Sequence, residues 1–280
     1  MNLFVLVLAS AVGWSGYDIA RKKVSQEYGP LQALLIFCCF QSPLYLVWML
    51  LDRGPLYHSS YLLWGSLGFV VNTLANLLFL LSVKHCALSV SIPLLSFTAI
   101  FSLICSVFLL GELPSLLQCL GCLCIIVGAF YINGGKIQHF KKKGPMAMIG
   151  AAFFWGLMAS LDKIGTKTIS IPAHIFYQTF ATLLLLLFIA KPKTIDLKKI
   201  TNDKGILLAY TLGSLSSVFA IGFQITAFQH HFVALVEAVK RGLVTLFALG
   251  SGALIFKEKI SGNKILATLL IVLGVGLISS

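Results

Sequence analysis

Ten apolar stretches, each about as long as a bilayer's hydrocarbon core is thick, fill almost the whole of this 280-residue chain. They run roughly over 2–20, 31–51, 60–82, 86–110, 115–133, 146–162, 172–190, 205–228, 232–256 and 263–279. About 20 apolar residues rising ~1.5 Å each cross such a core, and backbone in contact with lipid must satisfy its own hydrogen bonds. The pattern therefore predicts an all-α integral membrane protein with ten transmembrane helices and no soluble domain. Composition agrees: 58% of residues are hydrophobic and only 11% charged, against about 25% charged in an ordinary soluble protein. Mean hydropathy is +0.95.

The net charge of +12 does not point to nucleic acid, because the basic residues lie in short runs between apolar stretches and form no continuous face. The cysteine count is odd, and all seven lie in or beside apolar runs, so no disulfide framework is visible. Cys119, Cys122 and Cys124 lack a nearby fourth ligand and read as small packing residues. The opening segment, Met1 to Ala11, lacks the positive start of a signal peptide. It also recurs around Gly150 to Trp155, so it reads as the first transmembrane helix.

The second half of the chain repeats the first. Glu112 recurs as Glu258, Gly128 as Gly274 and Ile132 as Ile278, at a constant displacement of 146. Near the start of each half a tryptophan precedes a lysine by eight residues, Trp14 with Lys22 and Trp155 with Lys163. The expected organisation is a five-helix repeat over 1–135, a basic linker over 136–144 and a second five-helix repeat over 145–280. An odd number of helices per copy places the copies in opposite orientations, as an inverted repeat. Pro30, Pro55, Pro145, Pro172 and Pro192 fall at or beside predicted boundaries. Pro93 lies inside the fourth span and is expected to kink or interrupt it.

Charge gives an orientation. The links after helices one, three, five, seven and nine hold 16 Lys or Arg, including Arg21, Lys22 and Lys23, whereas the other links hold Arg53, Lys163 and Lys167. Basic loops stay in the cytoplasm, so both termini are predicted outside it, with the chain in the cell (inner) membrane.

These features resemble the drug/metabolite transporter superfamily, EamA type. The Trp-x7-Lys openings, the acid closing the fourth helix of each half (Glu112, Glu258), the pairs Tyr17-Asp18 and Leu161-Asp162, and the stretch from Glu237-Ala-Val-Lys-Arg-Gly to Phe256-Lys-Glu carry the likeness. The resemblance implies two five-helix repeats, transport of small metabolites by alternating access, often export, and no enzymatic activity. It also implies cytoplasmic termini, in conflict with the charge count.

The strongest candidate site is Glu237, Lys240 and Arg241, about 8–14 Å into the ninth span at ~1.5 Å per residue. The i+3 and i+4 spacings put both cations on the face of Glu237, and charges at that depth cost about 2.5 kcal/mol or more each. They are expected to face a central cavity. The bland reading is a Glu237–Arg241 pair that neutralises itself. Two cations against one acid predict a positive wall suited to carboxylate or phosphate, with Arg241 as the bidentate clamp, Lys240 as a second charge, and Glu237 orienting Arg241, binding an amine or carrying a proton. Trp14, Tyr17 and Trp155 line either this cavity or an interfacial aromatic belt. Asn72 and Asn76, one helical turn apart, and Gln224 serve either substrate or interhelical hydrogen bonds. Glu112 and Glu258 end helices where the dipole disfavours acids, which suggests gate contacts. Asp18 and Asp162 read as structural charges, Asp18 pairing with Lys22 at i+4.

No catalytic or metal-binding motif is visible, and neither a catalytic residue, a metal nor a cofactor is predicted. The reading is a secondary transporter for a small polar metabolite with an anionic group, amino acids first. A phosphate-bearing solute (a nucleotide sugar or lipid-linked sugar) and a non-transporting membrane scaffold stay open as alternatives. The expected partners are the substrate and the bilayer; nucleic acid is not one, and a homodimer stays open.

Overall fold

The computed structural model describes residues 2–113, 115–132, 142–189, 197–257 and 261–279. Among them there is no strand, only twelve helices: α1 Leu3–Glu27, α2 Pro30–Leu51, α3 Tyr61–His85, α4 Leu88–Leu94, α5 Phe97–Leu110, α6 Leu116–Ile132, α7 Lys143–Gly165, α8 Ile171–Ile189, α9 Leu197–Asn202, α10 Lys204–His230, α11 Val233–Leu254 and α12 Gly262–Ser279. Seven spans are long and apolar enough to cross a membrane, with Leu88–Leu110 counted as one, and α6 and α12 contain shorter apolar segments. The 22 residues of α11 are long enough, but Glu237, Lys240 and Arg241 lie within it.

The helix boundaries follow from local chemistry. Asn2 caps α1 by accepting from Phe4 N at 3.0 Å, and Asp203 Oδ1 accepts from Gly205 N at 2.9 Å and Ile206 N at 3.0 Å to start α10. Pro30 is the first residue of α2, where its missing N–H costs nothing. The expected interruption beside Pro93 falls at Leu95–Ser96, where Leu95 N bonds to Ile92 O at 2.9 Å and Ser96 N to Pro93 O at 3.0 Å. Gly111 ends α5 with φ 71°, a left-handed conformation that glycine adopts without a Cβ penalty.

One expectation fails at the first helix. Its charged tail Arg21-Lys22-Lys23 does not leave the span at residue 20, because α1 continues to Glu27. Arg21 and Lys22 are buried rather than placed in a loop.

The packing exchanges the two halves. Helix α1 lies along α10, while its counterpart α7 lies along α3; α5 contacts α7, while its counterpart α11 contacts α1. The pairs α2 with α8 and α6 with α12 each join a helix to its own counterpart. This is the contact pattern of a two-fold relation between the repeats. Helices α6 and α12 approach closest where Gly274 meets Gly121: a Cβ on Gly274 would stand 2.5 Å from the Gly121 carbonyl oxygen. Small residues at such crossings let membrane helices gain van der Waals contact.

Candidate functional site

The first helix of each half brings its tryptophan to the centre. Trp14 on α1 and Trp155 on α7 stand with ring centroids 6.1 Å apart. The Trp14 indole N–H donates to Gln224 Oε1 on α10 at 2.6 Å, and the Trp155 indole N–H to Asn72 Oδ1 on α3 at 3.3 Å. Each ring therefore reaches the helix its own element packs along. Both rings line the cavity described below.

Around them lie two charged networks. In one, Arg21 is 1% exposed, ion-paired with Asp18 and hydrogen-bonded to Asn76 Oδ1 at 3.2 Å. Its guanidinium lies 3.6 Å from the Phe79 ring centroid and 4.3 Å from that of Tyr17, with Trp14 and Trp155 at 5.5 and 5.3 Å. Ring faces compensate part of the desolvation of a buried cation. Asn76 in turn donates to Asn72 Oδ1 at 2.9 Å, so the two asparagines act together. The ion pair that Asp18 makes is with Arg21, while Lys22 donates to the carbonyls of Val83 and Cys86 at 2.6 Å each and ties the end of α3.

In the other network, Lys240 bonds to Glu237 Oε1 and to Gln224 Oε1 at 2.8 Å. Gln224 also donates to Glu237 Oε1 at 3.1 Å. Lys240 is 1% exposed and fully engaged, which leaves no free second charge. Arg241 differs: its Nε stands 3.4 Å from Glu237 Oε2, and both atoms are buried with no hydrogen-bond partner among the described residues.

Asp162 joins this centre as well. Its Oδ1 is 2.9 Å from His174 Nε2, and His174 Nδ1 is 2.8 Å from the Tyr61 hydroxyl. Asp18, Asp162 and Glu237 thus face Arg21, Lys240 and Arg241, three acids against three bases. The positive surplus expected from α11 alone is cancelled once these groups are counted.

A cavity of about 70 Å³ is lined by Trp14, Asn72, Trp155, Asp162, His174 and Glu237, among others. A second of about 50 Å³ shares Trp14 and Asn72 and adds Tyr17 and Asn76. A water takes ~30 Å³ and small-molecule sites ~300–1,000 Å³, so both cavities are smaller than an ordinary small-molecule site.

The lysines of the repeated motif each tie down the end of a long helix. Lys163, the counterpart of Lys22, donates to His231 O at the end of α10 at 2.9 Å and lies 3.5 Å from Glu112 Oε1. Each lysine sits on a helix C-terminus, where positive charge is favoured. Glu258 lies outside the described residues. Sequence reasoning missed Arg21, His174 and Tyr61 as members of the site. One signal was available: Arg21 and Asp162 precede Lys22 and Lys163 by one residue, so they occupy equivalent positions with opposite charge.

The model of the EamA-like transporter family matches residues 2–134 and again 142–280. The chain belongs to this family. It is a multi-pass integral membrane protein and a membrane transporter of the drug/metabolite type, and transport, not catalysis, is the family's activity. A protein of known crystal structure superimposes with a TM-score of 0.69 at 14% identity, covering 98% of this chain and 95% of its own. At that identity the likeness concerns the fold alone. No curated protein matches the sequence. For an EamA-like transporter, the meeting of both repeat tryptophans with residues of both charge networks around these two adjoining cavities marks the candidate substrate site.

Proposed function

We propose that this EamA-like protein is a secondary transporter that exports or exchanges a small zwitterionic metabolite, amino acids first. The reading supposes ten spans in two inverted repeats, over 1–135 and 145–280, in the cell membrane. The observation that carries it is the state of Arg241: a buried guanidinium whose Nε is ion-paired with Glu237 Oε2 at 3.4 Å but makes no hydrogen bond among the described residues, directly behind Glu237, which lines the cavity. A buried donor without a hydrogen bond costs about 1–3 kcal/mol, more when charged, and a substrate carboxylate held bidentately after Glu237 moves aside would relieve it. Asp162 and Glu237 then receive the substrate's ammonium. Lys240 orients Glu237 instead of touching cargo.

Alternating access follows from the two ends. Release of Lys163 from Glu112 and His231 O opens one face, and release of Lys22 from the end of α3 opens the other. Because the repeats pack as counterparts, opening one end by rocking closes the other.

The test is exchange in proteoliposomes preloaded with unlabelled metabolites, following labelled amino acids and labelled phosphate esters. Saturable amino-acid exchange lost in Arg241→Gln supports the reading. Exchange of phosphate esters but not amino acids assigns the cargo to the phosphate class. Amino-acid exchange undiminished in Arg241→Gln removes the clamp.

A further inference from the structure

Three helices deliver Tyr61, His174 and Asp162 to one continuous hydrogen-bonded line. His174, in the first turn of α8, bonds through Nε2 to Asp162 Oδ1 on α7 at 2.9 Å and through Nδ1 to the Tyr61 hydroxyl on α3 at 2.8 Å. All three are buried. Gly165 makes the approach possible, since a Cβ there would stand 3.2 Å from both the His174 and Tyr61 rings.

The line has a direction. Asp162 and His174 line the central cavity, and Tyr61 is not among its lining residues. Tyr61 is the first residue of α3, its N–H bonded to His58 O at 3.0 Å, and Tyr57 and His58 beside it are exposed. Tyr61 itself is buried, and the row runs from the cavity toward the end of the bundle where α3 and α8 begin.

The other groups around the pair are accounted for. On α11, Glu237 and Lys240 are bonded to each other. Helix α10 presents neutral Gln224, α8 itself neutral Gln178, and α2 packs Met49 into the apolar cluster that holds Tyr61. Among the described residues, His174 is the ion-pair partner of Asp162.

We propose that His174 and Asp162 hold the proton that this transporter exchanges for its cargo, with Tyr61 as the relay to the face. This rests on the transport reading above. With a neutral ring, Asp162 keeps its negative charge toward the cavity and attracts the substrate ammonium. For loading, the Tyr61 hydroxyl passes its proton to His174 Nδ1 and takes one from a hydronium ion at the face, which leaves water. The resulting imidazolium donates Nε2–H to Asp162 and cancels its charge; no other bond changes. Proton and ammonium thus compete for one carboxylate, and competition for one site gives one-for-one antiport.

The experiment uses the full-length protein in proteoliposomes with the membrane potential clamped and a mixture of labelled proteinogenic amino acids. A gradient of one pH unit, acid inside, is expected to drive accumulation inside the vesicles of up to about tenfold, the limit for one-for-one exchange. In His174→Gln the inside-to-outside ratio, measured beside gradient-free exchange in the same vesicles, falls back to about one. Accumulation with the alkaline side inside, exchange with no response to the gradient, or an unchanged ratio in His174→Gln overturns the proposal. If no amino acid exchanges at all, the cargo reading fails, and ¹⁵N NMR of the imidazoles judges the proton site alone. A His174 signal, identified by its loss in His174→Gln, that titrates between pH 5 and 9 with a midpoint moved by Asp162→Asn supports the site. A signal that stays in one protonation state across that range overturns it.

Discussion

Trp14 and Trp155, equivalent residues of the two repeats, meet at the centre of the molecule with ring centroids 6.1 Å apart and planes inclined at 60°. Each indole N–H bonds to an amide oxygen on the neighbouring long helix, Gln224 or Asn72. The contact therefore joins the halves through four helices, α1, α3, α7 and α10, and places an aromatic partition between the Arg21 and Glu237 networks. Any movement of one repeat against the other must pass through it.

Arg21 is the first residue on which this arrangement is testable. Removing one partner of a buried ion pair costs about 3–5 kcal/mol, so Arg21→Met should lower the melting temperature in detergent markedly, because it leaves Asp18 charged and alone. Adding Asp18→Asn should recover a large part of that loss. A double variant no more stable than Arg21→Met would show that the ring contacts of Arg21, and not its pairing, hold the centre together.

Lys163 makes a different prediction. Its contact with Glu112 is partly exposed, at 16% and 15% for the two side chains, and such pairs contribute only ~0–1 kcal/mol to stability. A change of that size still shifts a balanced open–closed equilibrium several-fold. Lys163→Ala should leave the melting temperature nearly unchanged. A cysteine introduced at Thr179 in a cysteine-free background should then be labelled several-fold faster from that face. Equal labelling rates with and without Lys163 would remove its gating role.

The sequence made the all-helical membrane character, the duplication and the burial of Glu237, Lys240 and Arg241 legible, because each is a matter of period or of charge in an apolar run. The end of α1 was not legible. Arg21-Lys22-Lys23 reads as a basic loop, and only the fold supplies the four rings and the α3 carbonyls that let two of these cations stay inside. His174 was silent for a related reason: one histidine in an apolar run carries no pattern, and its partners lie on other helices, Tyr61 far back in the chain. The charge surplus assigned to α11 failed because charge balance belongs to the assembled centre. Asp162 was visible, but its side chain's direction was not.

The α6–α12 crossing gives a packing prediction. A Cβ on Gly274 would stand 2.5 Å from the carbonyl oxygen of Gly121, and one on Gly121 would fall on the carbonyl oxygen of Gly274. Either alanine substitution must push the helices apart, at about 1–3 kcal/mol for overpacking. Gly250→Ala, where a Cβ meets nothing within 4 Å, is the control. There the better helix propensity of alanine, about 1 kcal/mol, should leave stability unchanged or raised. If Gly121→Ala and Gly250→Ala melt alike, the glycine contact is not what holds these helices together.

The orientation expected from charge survives the correction that moved Arg21 inside. Setting aside the buried Arg21 and Lys22 leaves 14 of the 16 basic residues on one side, and setting aside Lys163, held by Glu112 and His231 O, leaves Arg53 and Lys167 on the other. The bias persists, and basic residues near span ends are retained in the cytoplasm. A phosphatase fused after Ser280 should therefore be active outside the cytoplasm, and a fluorescent protein fused there should stay dark when exported unfolded. The Lys163–Glu112 end and the Tyr61 face would then open outward, so that protons enter the relay from the external side in exchange for cargo leaving the cell. Fluorescence with an inactive phosphatase would reverse both faces together and put Tyr61 toward the cytoplasm, so that the relay would release the proton there instead of loading it from outside.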